Sequence, residues 1–109
     1  MDVLRDRNAL YRELSNGNIE NVYTLKVVNK GESDHQLTLE VTGLPGLRVE
    51  LDPPQPVAAA GEMTAIAARV QADPDEAGSG GNNVLFEIRS TLDETITADS
   101  DARFFLPID

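Results

Sequence analysis

Residues 61–73 read GEMTAIAARVQAD, and the fold class turns on them. Four of these thirteen residues are alanine, the strongest helix former, so composition alone suggests a helix. The pattern argues otherwise. Thr64, Ile66, Ala68 and Val70 occupy alternate positions, which in an extended chain share one face. Turn formers stand close on both sides, Gly61 before and Asp73–Pro74 after. We read the stretch as a strand.

The same period of two runs through the rest of the chain after residue 18. In IENVYTLKVVNKG, Tyr23, Leu25 and Val27 share a face, with Thr24 and Lys26 opposite. The polar NKGESD reads as a turn. HQLTLEVTG sets Leu37, Leu39 and Val41 against Gln36, Thr38 and Glu40. After the GLPG turn, LRVELD alternates through Leu47, Val49 and Leu51 until PPQP stops it. PDEAGSGGNN carries the longest loop signal. VLFEIRSTL turns Val84, Phe86 and Ile88 inward, and a last strand is expected around Arg103–Leu106, with a short one near Thr95–Thr97. The only helical candidate, RNALYREL at 7–14, is short. About seven short strands with regularly spaced turns predict an all-β chain, an antiparallel immunoglobulin-like β-sandwich. With no cysteine and no tryptophan, it is not the antibody version with its disulfide pin.

At 109 residues the chain fits one domain, 1–109, with 1–12 as a linker candidate. Its composition, 40% hydrophobic and 26% charged, is that of an ordinary globular protein. No apolar run reaches the roughly 18 residues that span a membrane. No signal peptide opens the chain, so any targeting signal is expected upstream in a longer parent. The net charge of −10 argues against nucleic acid and anionic lipid as partners, since both call for basic surface. Three of the nine Lys and Arg residues, Arg5, Arg7 and Arg12, crowd into the first twelve positions.

Nothing points to catalysis. His35 is the only histidine. It lies in SDHQ with no cysteine to help it hold a metal, and is expected to be a solvated turn residue. DPDEAGSGGN has Asp73 and Asp75 at calcium-loop spacing and Gly78 at the sixth position. Ala77 and Val84 stand where such a loop needs oxygen ligands. Asp99 and Asp101 read as a solvated turn. No serine lies in a nucleophile-elbow context, and GSGG lacks the lysine of a phosphate loop. No catalytic, cofactor or metal residue is therefore assigned. Of the pair Phe104–Phe105, one must point inward and one outward. An outward Phe105 would either mark a docking surface or pack beneath the N-terminal segment, and the second reading is preferred.

VLRDRNALYRELSNGNIENVYTLKVVNK, followed by LPGLRVEL, VAAAGE and ARFFLP, resembles the C-terminal domain of the FixG/RdxA/CcoG family of cytochrome c oxidase accessory proteins, from Asp2 to Pro107. The resemblance implies an immunoglobulin-like domain following the last membrane helix of an inner-membrane protein, on its periplasmic side. It implies iron–sulfur clusters upstream in the parent, none in this domain, and a part in cbb-type oxidase assembly and copper handling. The expected role is a non-catalytic interaction module. The parent membrane domain, oxidase subunits and assembly factors are its candidate partners. The alternative is a structural or dimerisation domain that stabilises the parent. Arg5, Arg7, Arg12 and Phe105 are the candidate interaction residues. Interleaved Asp2, Asp6 and Glu13 leave little net charge near these arginines, and the positive-inside rule disfavours arginines against the far leaflet. Pairing within the domain is therefore expected over contact with lipid headgroups.

Overall fold

The computed structural model describes residues 1–5, 11–92 and 97–107. Two antiparallel sheets form a sandwich. The first contains β1 (Asp2–Arg5), β2 (Arg12–Glu13), β3 (Ile19–Val28), β5 (Arg48–Asp52) and β7 (Met63–Ala72). The second contains β4 (His35–Thr42), β6 (Val57–Ala58), β8 (Gly80–Ser90) and β9 (Thr97–Leu106). The order β1-β3-β7-β5 over β4-β8-β9 is the arrangement of a constant-type immunoglobulin sandwich, with β6 added beside β4.

The alanine-rich stretch is strand β7, and its neighbours explain its composition. Tyr23 on β3 lies directly opposite Ala68, and Ile19 opposite Ala72. All four are buried. Alanine is a poor strand former in isolation. Beside a tyrosine it leaves the space the ring needs, so cross-strand packing overrides propensity. The second sheet repeats the device. Phe86 on β8 faces Ser100 on β9, and Val84 faces Ala102. Between the sheets the Tyr23 and Phe86 rings meet edge to face, centroids 4.7 Å apart and planes at 66°. This contact links the two strands that a disulfide joins in antibody domains.

Several expectations require correction. The glycine-rich loop is mostly regular structure. Residues Pro74–Ala77 form a helical turn, α1, whose N-cap Asp73 accepts a hydrogen bond from the Asp75 amide at 3.0 Å. Gly80–Asn83 already belong to β8, because Arg103–Leu106 offer them a continuous antiparallel ladder. Asp99 and Asp101 lie on a strand instead of in a turn, since β9 runs unbroken from Thr97. Its inward positions there are Ala98, Ser100 and Ala102, too small to read as a core face. Part of the helical candidate, Arg12–Glu13, pairs with β3, while 7–10 lie outside the described residues, as do 95–96. The N-terminal stretch expected as a linker contributes β1, which pairs with Tyr23–Lys26. The short pieces β1, β2 and β6 take the strands beyond the expected seven.

Phe104 is fully buried, whereas Phe105 stands on the outer face of the same strand, partly covered. Phe104→Ala should therefore cost about 3–5 kcal/mol, in the range for buried phenylalanines, and Phe105→Ala clearly less. Urea unfolding of the two variants checks this.

Candidate functional site

Two places among the described residues join polar side chains to the packing between the sheets. The first is a seam where β3 of one sheet grips β9, the outer strand of the other. Asn21 is buried in mid-strand, where an apolar residue would be usual. Its amide Nδ2 donates to the Phe105 carbonyl at 2.9 Å, and its Oδ1 accepts from the Phe105 N–H at 2.8 Å. The side chain thus takes the place of a neighbouring backbone, and both of its polar ends are satisfied. Two residues on, the Tyr23 hydroxyl donates to the Arg103 carbonyl at 2.7 Å. Burial pushes the Tyr23 phenol well above the ordinary tyrosine range, and the nearby Arg5, through its charge and a hydrogen bond, offsets part of that rise.

Outside the seam, the Arg5 guanidinium lies 4.2 Å from the centre of the Phe105 ring, and Arg103 approaches the same ring at 5.9 Å. A cation held over an aromatic face is attracted by the ring quadrupole. The ring has room because Gly81 is its cross-strand partner. A Cβ on Gly81 would come within 3.2 Å of the phenylalanine ring and closer still to Arg103.

The structure therefore brings Arg5 and Phe105 together, with the N-terminal strand laid over the ring. Arg12 is engaged separately. Its Nη2 sits 2.9 Å from Oε1 of Glu20, a buried carboxylate that also accepts from Gln71 at 3.2 Å. Neither arginine projects alone into solvent. Arg7 lies outside the described residues.

The second place is a cleft of about 280 Å³ at one end of the sandwich. Val27, Leu37, Ala58, Ile88 and Ala98 give it apolar walls, and His35 stands at its border. His35 is not the solvated turn residue expected. It opens β4, is partly buried, and its Nδ1 lies 2.7 Å from the hydroxyl of buried Ser90. Among the described residues no three histidine, aspartate or glutamate side chains gather into a metal-binding group.

The model of one family, described as "IG-like fold at C-terminal of FixG, putative oxidoreductase", matches residues 1–107. The chain belongs to this family. A crystal structure of a FixG-related protein from Vibrio parahaemolyticus is similar to it at 30% identity and a TM-score of 0.80, covering 97% of this chain and 93% of that one. No curated protein matches. For this FixG-type domain, the seam was the feature that sequence reasoning missed. Asn21 in the middle of an apolar face was the only signal that could have revealed it.

The raised Tyr23 ionisation has a consequence at high pH. A group protonated more firmly in the folded state than in the unfolded one contributes stability below its unfolded pKa, about 10 for tyrosine. That contribution declines as pH rises toward the folded value. Unfolding free energy should fall above pH ~10, and Tyr23→Phe should flatten part of the fall. At neutral pH the same variant should lose about 0.5–1.5 kcal/mol with its hydrogen bond. Urea titrations of both proteins across the alkaline range provide the check.

Proposed function

We propose that this domain is a non-catalytic accessory module of a FixG-type inner-membrane protein. It works on the periplasmic side and docks a partner during cbb-type oxidase assembly and the copper handling that accompanies it. The observation that carries this reading is the family match over residues 1–107. What supports a binding role over a chemical one is how the polar side chains are used. Asn21 and Tyr23 are committed to the backbone of β9, Glu20 to Arg12 and Gln71, and Asp73 to the cap of α1. These groups hold strands and a helical turn in place.

Iron–sulfur chemistry in such a protein belongs upstream of this domain. The chain contains no cysteine, so it has no thiolates to hold a cluster. The apolar cleft and the outer strand β9 remain as the surfaces on which a partner would act.

Removing the domain from the parent protein tests the proposal. Lost oxidase activity in membranes, with the truncated protein at normal abundance by immunoblot, is the expected result. Unchanged activity at normal abundance overturns the docking role. Lower abundance of the truncated protein would instead favour a domain that stabilises its parent.

A further inference from the structure

Among the described strands β9 pairs with β8 alone, so it forms one edge of the second sheet. In an antiparallel ladder, alternate residues turn both N–H and C=O toward the same neighbour. Both backbone groups of Phe105 bind Asn21, so Phe105 faces away from β8. The register runs without interruption from Gly80↔Leu106 to Arg89↔Thr97. Arg103, Asp101, Asp99 and Thr97 therefore face away from β8 as well.

The two halves of this edge differ. At Phe105 and Arg103 it is occupied by Asn21 and Tyr23. Along Thr97, Asp99 and Asp101, no described strand pairs with it. The three side chains are exposed. The open half also adjoins the apolar cleft, whose lining includes Thr97, Ala98, Val27 and Val28.

We infer that the open half of the β9 edge, Thr97–Asp101, accepts an extended segment of another polypeptide as an additional strand. The chemistry of that segment follows from the register. On an added strand, side chains alternate between the faces. Those beside Asp99 and Asp101 meet carboxylates and should be lysine or arginine. Those beside Ala98 and Ser100 point inward toward the cleft and should be apolar. A second copy of this domain fits poorly. Pairing two β9 strands antiparallel would set aspartates against aspartates, and like charges directly opposite are destabilising. The same acids protect the edge from aggregation. The partner is thus a basic, alternating strand, recognised by main-chain hydrogen bonds and charge. This inference rests on the interaction role proposed above and gives it a site.

The probe is a short capped peptide alternating lysine and valine, titrated into the isotopically labelled 109-residue chain. Amide shifts should centre on Thr97–Asp101 and on Val28, and the exposed amides of Asp99 and Asp101 should become protected from hydrogen exchange. Asp99→Pro removes a donor that points away from β8, so it should abolish binding while leaving the ladder intact, as edge prolines do. Should that variant unfold, Asp99→Lys with Asp101→Lys supplies the second test. It should lose the lysine–valine peptide and gain a glutamate–valine one. Absence of shifts, shifts confined elsewhere, or unchanged affinity in the charge-swapped variant overturns the site. Self-association through β9 that Asp99→Pro dissolves would also overturn it, in favour of a second copy. Failure here leaves the accessory role standing, because that role is tested separately by deletion from the parent.

Discussion

Tyr23 is the residue through which the two sheets of this domain become one body. Its ring packs edge to face on Phe86, and its hydroxyl reaches past the core to the backbone of β9. A sandwich without a disulfide needs some other connection between its layers. A buried tyrosine supplies area through its ring and direction through its hydroxyl. Its neighbours are arranged to accommodate it. Ala68 is small because Tyr23 is large, and Asn21 extends the grip on β9 by two residues.

That grip has a consequence for the edges. An exposed outer strand invites pairing with other chains, and this protein handles β9 in two ways along its length. Toward the C-terminal end, side chains from the opposite sheet occupy the backbone groups, with Arg5 and Phe105 stacked outside them. Toward Thr97 no described strand pairs with the edge, and aspartates stand in place of the cap. Like charges set opposite one another disfavour pairing with a second copy. One half of the strand is thus tied to the opposite sheet, and the other carries exposed acids with no described strand beside it.

The N-terminal arginines fit the same logic. They are three of the nine Lys and Arg residues on a chain of net charge −10, yet Arg5 and Arg12 are engaged within the domain, Arg5 over an outward aromatic ring and Arg12, itself largely exposed, on a buried carboxylate. Their position beside β3 lets the first residues of the chain close the side of the sandwich where β9 ends. The family relationship, carried by residues 1–107, therefore includes these strands as part of the domain.

Alternation alone determined most of this architecture. Tyr23, Leu25, Val27, Leu37, Val41, Ile66, Val70, Phe86 and Ile88 were all legible as inward-facing, because a strand has only two faces and its period is local. The choice of Phe104 as buried and Phe105 as outward was left open by sequence, since that period does not say which face meets the core. Where inward residues were small, as at Ala98, Ser100 and Ala102, the signal faded and half of β9 was read as a turn. The seam was not legible at all. Asn21 and Phe105 are 84 residues apart, and nothing local tells an asparagine that its partner will be another strand's backbone. Which strand became an edge, which half of that edge was capped, and where His35 met Ser90 were decided only when the sheets came together. Each depends on a neighbour that chain order does not name.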